Sequence, residues 1–337
     1  MGLNILDTTL RDGSNAINFN FDENLTKIVL ENLEKAGVDW IEMGHGMGLG
    51  ASKKCGKSAL LSDIEYMELA NENLAKAKYG FIISKKFGTK QDIKEAAERG
   101  VNFIRIAANI TEVEEIEDYT KFAIDQGLTV LIALMKAYAI KPNTKEYHKI
   151  LKEIDKWNIK WATLMDSAGN MTPEDVKDYI IQARLCSNVK LGFHAHNNLQ
   201  LGIANTMAAI QSGVISVDAS VGGLGRSSGN APTEILALLL EKYELGKLLD
   251  YKILSNLNDE YIFPLIRGEN RFSSSALTFG FAGFHSSFFP LIEKELKKNP
   301  SLDYRDLIIE LSRKEQVNVT ENLINETAMD LLRKNEK

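Results

Sequence analysis

The chain has 337 residues, 44% hydrophobic and 26% charged, enough apolar matter for one large core, with a formal net charge of −6 carried by interspersed Lys and Glu. That balance excludes a nucleic-acid footprint, the N-terminal MGLNILDTTLRDG lacks a basic start followed by an apolar stretch, and no run of about 18 apolar residues offers a membrane span. A cytoplasmic protein with neither nucleic acid nor membrane as partner is expected, and the two cysteines, Cys55 and Cys186, read as ordinary thiols rather than a disulfide framework or zinc site.

In chain order, short apolar or β-branched runs cover residues 3–7, 40–43, 79–83, 103–107, 129–134, 161–165, 189–194 and 216–220. Amphipathic patterns between them predict helices over 24–36, 64–76, 90–99, 116–126, 145–157, 173–185 and 199–212, with an eighth over 231–243 opened by Pro232 and Thr233. Gly37, Gly100, Gly127 and Gly213 follow four of these helices, where the left-handed C-cap conformation is cheap for glycine. Strand and helix alternating eight times predict an α/β chain closed into a (β/α)8 TIM barrel over residues 1–246, close to the ~250 residues usual for that fold. After Gly246 the alternation is lost, and residues 247–337 are expected to form a smaller, mainly helical C-terminal domain. Its aromatic segment 272–289 is too apolar for a free tail and is expected to pack on the barrel mouth or on a partner.

Chemistry in such a barrel sits at the C-terminal ends of the strands. The first run ends in Arg11-Asp12-Gly13, a fixed cation beside a carboxylate at a sharp turn, an arrangement that taken alone is more often a salt-bridged loop. The seventh ends in His194-Ala195-His196, which holds two of the chain's five histidines. Residues two apart on a strand share a side, so both imidazoles can converge on one ion. A carboxylate and two imidazoles with open positions suit a six-coordinate Mg²⁺, Mn²⁺ or similar divalent cation. Three further strand ends supply compatible groups. The second opens a Gly-rich loop containing His45; the sixth brings Ser167, able to hydrogen-bond a substrate carboxylate or to cap the next helix; the eighth brings Asn230, a candidate further oxygen ligand, in a Gly-Ser loop.

LDTTLRDG, GFHAHNN and GGLGRSSGNAPTE together resemble the HMG-CoA lyase-like metal-dependent barrels, a superfamily that includes HMG-CoA lyase, isopropylmalate and citramalate synthases and 4-hydroxy-2-oxovalerate aldolases. IEMGHGMGLG, the LRDGSNA spacing and GFAGFHSSF look most like the 4-hydroxy-2-oxovalerate aldolase branch. The resemblance implies Asp12, His194 and His196 as metal ligands, Asn230 as a ligand found in some members only, and Arg11 as the group that stabilises an enolate. It implies Mn²⁺ or Mg²⁺ as cofactor, and a 2-oxo acid and an aldehyde as small-molecule partners. The branch carries a histidine where this chain has Asn15, and tyrosines where it has Phe281 and His285. An amide has no useful basicity near neutral pH, so a metal-bound water, His45 or His285 is left as the base for the hydroxyl proton, and the joint departures point to an altered substrate recognised in part by Asn15.

Two other classes stay open at this level. One is a Claisen-type acyltransferase joining acetyl-CoA to a 2-oxo acid. The other is a non-catalytic barrel serving as partner of a dehydrogenase. An acylating aldehyde dehydrogenase, or a second copy bound through the C-terminal domain, are the candidate macromolecular partners.

Overall fold

The computed structural model describes residues 2–267, 271 and 273–335. Eight parallel strands close into a barrel in sequence order: β1 (Asn4–Asp7), β2 (Trp40–Glu42), β3 (Lys78–Ile83), β4 (Phe103–Asn109), β5 (Thr129–Met135), β6 (Trp161–Asp166), β7 (Leu191–Ala195) and β8 (Ser216–Ala219), with β1 paired to both β2 and β8. Eight helices follow them in turn, Glu23–Lys35, Asp63–Asn73, Lys90–Glu98, Glu117–Asp125, Lys145–Ile154, Pro173–Cys186, Gly202–Gln211 and Thr233–Lys242. The expected (β/α)8 architecture is therefore present. Local chemistry sets the ends: Ser62, Thr89 and Thr172 each form a capping box with the acid three residues on. The helix expected over 199–212 begins only at Gly202, because the Asn197 side chain accepts the Gly202 N–H and Leu199–Leu201 remain in the preceding turn. Among the described residues no helix is long and apolar enough to cross a membrane.

Strand alternation sorts the barrel interior into layers. On β4, every second residue lies one level higher: Phe103 at the bottom, Arg105 in the middle, Ala107 above, and Asn109 at the mouth. The bottom layer is an aromatic plug of Leu6, Trp40, Phe103, Leu131 and Trp161, with Trp40 edge-on to Trp161 at 4.9 Å between centroids. Gly80 of β3 makes room for it, since a Cβ there would come within 2.3 Å of the Phe103 carbonyl oxygen. A second apolar layer of Ile82, Ala107, Ala133 and Met165 lies toward the mouth. Between the two sits a layer of charge.

Beyond the eighth barrel helix, Leu249, Leu254, Leu257, Ile262 and Ile266 join the barrel's own core. The helices Ser274–Ala282, Phe289–Lys298, Tyr304–Lys314 and Glu321–Asn335 gather a separate core around Phe279, Phe284, Ile308 and Ile324. This unit seats on the barrel mouth: Asn198 Nδ2 donates to the Ala276 carbonyl at 3.0 Å, and a Cβ at Gly280 would meet Leu199 at 2.9 Å. The aromatic segment thus packs on the mouth, as expected, while Phe272 lies outside the described residues.

The plug should matter to stability. Trp161→Ala empties a fully buried site, and urea denaturation should show a loss of ~3–5 kcal/mol; a loss below ~1 kcal/mol would mean that the plug is not close-packed.

Candidate metal centre and active site

After β1 the backbone winds so tightly that the Thr8 carbonyl receives the N–H groups of Arg11, Asp12 and Gly13 at 3.1, 2.8 and 3.2 Å. Gly13 is required where loops one and eight touch, since a Cβ there would lie 2.8 Å from Leu224 Cδ2. The turn brings Arg11 and Asp12, 5% and 4% exposed, to the mouth, where β7 and its extension bring His194 and His196, 2% and 7% exposed. One ligand atom from each of Asp12, His194 and His196 lies within 4.8 Å of the others. The four residues line a single cavity of about 200 Å³, together with Met47, Asn109, Lys136, Ser167, Arg226 and His285.

The donor set fits a divalent cation. His194 Nδ1 faces Asp218 Oδ2 at 3.0 Å, so that nitrogen carries the proton donated to Asp218 and Nε2 is left as a lone-pair ligand. Burial pushes the His196 imidazole down to about 3, which keeps it in the neutral, ligating form. Although burial opposes its charge, Asp12 is held well below the usual carboxylate range, chiefly by the Arg11 guanidinium beside it. An anion with two imidazoles is what a hard or borderline divalent metal takes.

A chain of buried charges supports these ligands from below. Arg11 donates through Nε to Glu42 and through Nη1 to Asp12 at 2.8 Å. Glu42 also accepts from Arg105 at 2.5 and 2.6 Å, and Arg105 reaches Asp218, the partner of His194. Arg11, which lines the cavity, keeps its Nη2 buried and without a partner among the described residues.

The remaining candidates fall in different places. Ser167 lines the cavity, and its oxygen accepts the Lys136 N–H at 2.9 Å, so its own hydrogen is available to a ligand. Asn230 turns its amide nitrogen to Asp12 Oδ2 at 2.8 Å and keeps an unpartnered Oδ1; in this arrangement it orients the carboxylate. Asn15 lies outside the cavity wall, donating to the Asp12 carbonyl at 3.0 Å and accepting from Arg226 Nη2 at 2.7 Å. His45 is not brought to the cavity. Its Nε2 faces the Lys57 carbonyl at 2.9 Å, its Nδ1 receives the Met47 N–H at 3.0 Å, and its ring stacks on Phe19. His285 does line the cavity, its Nδ1 receiving the Ser287 N–H at 3.2 Å, so the neutral ring carries its hydrogen on Nε2. Burial, and then the charges of Arg226 and Lys136, hold it well below its ordinary pKa. Phe281 is 73% exposed and takes no part in the site.

Sequence reasoning missed Glu42, Arg105, Asp218, Lys136 and Arg226. Lys136, at the end of β5, has its Nζ on the Val317 carbonyl of the C-terminal unit and 5.1 Å from the Phe288 ring; its backbone holds φ 54°, a left-handed conformation that lysine rarely adopts. Burial lowers its ammonium to about 8.

A catalytic metal-ion barrel is the class that this fold and site define, and the family can be given. An HMGL-like family model matches residues 2–260, and the chain belongs to that family. It is 35% identical over 329 residues to the 4-hydroxy-2-oxovalerate aldolase of Geobacillus genomosp. 3, covering 98% of this chain and 97% of that one. It is also 35% identical over 337 residues to the 4-hydroxy-2-oxovalerate aldolase of Carboxydothermus hydrogenoformans, covering 99% of both. Among solved structures, the carboxyl transferase domain of Rhizobium etli pyruvate carboxylase shares the fold, with a TM-score of 0.79 at 14% identity, over 99% of this chain and 60% of that one.

Asp12→Ala and His194→Ala should each abolish Mn²⁺ binding in titration calorimetry with circular dichroism unchanged. Asp218→Asn, one step removed, should weaken binding by about 10- to 100-fold; unaltered affinity in Asp218→Asn would remove it from the metal site.

Proposed function

We propose that the chain is a divalent-metal-dependent aldolase that cleaves or forms the C–C bond of 4-hydroxy-2-oxo acids through a pyruvate enolate, with Mn²⁺ or Mg²⁺ held by Asp12, His194 and His196. One observation carries the reading: Arg11, whose Nη2 has no partner among the described residues, lines the same cavity as the three residues whose ligand atoms converge. Relatives named 4-hydroxy-2-oxovalerate aldolase, matched over nearly their whole length, support it.

When bound, the cation supplies Lewis acidity to the keto and carboxylate oxygens of the 2-oxo acid. Arg11 donates from Nη2 to the oxygen that becomes negative as the C–C bond breaks, its fork already fixed by Glu42 and Asp12. Ser167 donates its hydroxyl hydrogen to the substrate carboxylate. Neither histidine suits the role of base. His45 has both nitrogens engaged, and His285 presents an N–H to the cavity and acts as a hydrogen-bond donor to the aldehyde oxygen. Neither ring is therefore assigned the hydroxyl proton.

Two measurements test this. The metal-loaded protein should exchange the methyl protons of pyruvate in D₂O, read by mass spectrometry, and should release pyruvate from 4-hydroxy-2-oxopentanoate, with both activities lost to a chelator. No exchange and no cleavage with any divalent ion would overturn the proposal. Arg11→Lys should retain metal binding yet slow exchange about 10²- to 10³-fold, because one ammonium cannot hold Glu42 and Asp12 and still reach the enolate oxygen. Near-normal exchange would take Arg11 out of the reaction.

A further inference from the structure

The cavity is unbalanced in charge. Among its described lining residues Asp12 is the only acid, while Arg11, Lys136 and Arg226 are cations. Arg11 is matched by Glu42 and Asp12. Lys136 and Arg226 are not matched: among the described residues neither forms an ion pair, and their partners are neutral. Lys136 donates to the Val317 carbonyl and stands over Phe288, at 9% exposure. Arg226 donates through Nη2 to Asn15 Oδ1 at 2.7 Å and to Met47 Sδ at 3.3 Å.

Lys136 is buried and Arg226 half-buried, and the carboxylates that act on them, Glu112 and Glu315 for the first and Asp12 for the second, do so without hydrogen-bond contact, so both charges are only partly answered. A divalent cation on Asp12 would add positive charge rather than remove it, and the single carboxylate of a 2-oxo acid cannot answer all of it. The two cations are also deliberately placed. Asn15 fixes Arg226 while holding the backbone of the Asp12 turn, and Lys136 keeps an unfavourable left-handed backbone at the rim. His285 lies close enough to feel both charges and stays neutral between them as an added donor.

Resting on the aldolase reading above, we propose that the aldehyde half of the substrate carries an anionic group, a phosphate or a carboxylate, bound by Lys136 and Arg226. Such a group accepts hydrogen bonds from both cations and supplies the missing negative charge. Asn15 is then the positioning residue that aims Arg226.

The test runs the reaction toward condensation, with the Mg²⁺-loaded full chain and saturating pyruvate, on four aldehydes: propanal, glyceraldehyde, glyceraldehyde 3-phosphate and succinic semialdehyde. At least one of the two anionic aldehydes should exceed its uncharged counterpart in kcat/KM by about 10²-fold, as expected for two charge-assisted contacts, and which one does so tells phosphate from carboxylate. Lys136→Met and Arg226→Gln should each lower that ratio by about 10-fold, chiefly by raising KM for the anionic aldehyde. Arg226→Lys should recover part of the loss, and Asn15→His, which removes the amide acceptor, should lower the ratio as Arg226→Gln does. Inorganic phosphate titrated calorimetrically into the metal-free protein gives a readout independent of turnover, and its affinity should fall about 10-fold in both charge-deleting variants. Equal or better use of propanal or glyceraldehyde, with phosphate binding indifferent to both variants, would overturn the inference. Absence of pyruvate proton exchange together with absence of all condensation would instead strike the aldolase reading itself.

Discussion

Everything at the mouth of this barrel depends on a line of buried charge that begins at Arg11 and passes through Glu42, Arg105 and Asp218 to His194. Glu42 and Arg105 are fully buried and Asp218 is 1% exposed, between two apolar layers of the barrel interior. Burying each of these ions alone would be prohibitive, and even a pair recovers the desolvation only when its remaining donors and acceptors are filled. Here two guanidinium groups alternate with two carboxylates, so the line is neutral as a whole. Asp12 remains as the one negative group at its upper end. The line is better understood as orientation than as stabilisation: it leaves Arg11 one nitrogen without a partner among the described residues and His194 one lone pair, on two residues that line the same cavity.

Much of this was legible in the sequence, and the part that was not has a physical explanation. Short, nearly continuous apolar runs located the strands, because parallel strands buried on both faces must be apolar almost throughout. The RDG and HxH segments located the three residues whose ligand atoms converge, because strand ends face the mouth. The charged layer went unread although its signal was present. Glu42, Arg105 and Asp218 each interrupt an apolar strand at an inward position, and opposite charges at matching heights on β2, β4 and β8 can only be tolerated if they meet inside the barrel. His45 and Asn230 show the converse limit. Composition marks them as functional types, but which atom of each ring or amide faces which neighbour is decided by backbone groups from distant parts of the chain, and no local pattern encodes that.

The C-terminal helices are part of the site rather than an appendage to it. Through His285 and Ser287 they supply cavity wall, and through the Val317 carbonyl they hold the Lys136 ammonium. Lys136 in turn donates its backbone N–H to Ser167. A side chain placed by β5, one placed by β6 and a carbonyl of the C-terminal unit are thus fixed by one another. A shift of the helices against the barrel would disturb the cavity before it disturbed Asp12, His194 and His196, which hang on strand ends and on the buried charges beneath them.

Asn15 brings these threads to one atom pair. An imidazole at that position would stand where the Arg226 guanidinium now approaches to 2.7 Å, and a cation so near disfavours protonation of a neighbouring imidazole. A histidine there would be a weak proton acceptor, with its ring nitrogens drawn into contacts the amide already satisfies. The amide has one oxygen to accept from Arg226 and one nitrogen to give to the Asp12 turn, and it does not titrate. The loss of a basic group at position 15 and the presence of a guanidinium at position 226 are therefore two sides of one arrangement. In it, a residue beside the reacting centre holds charge for the substrate instead of moving a proton.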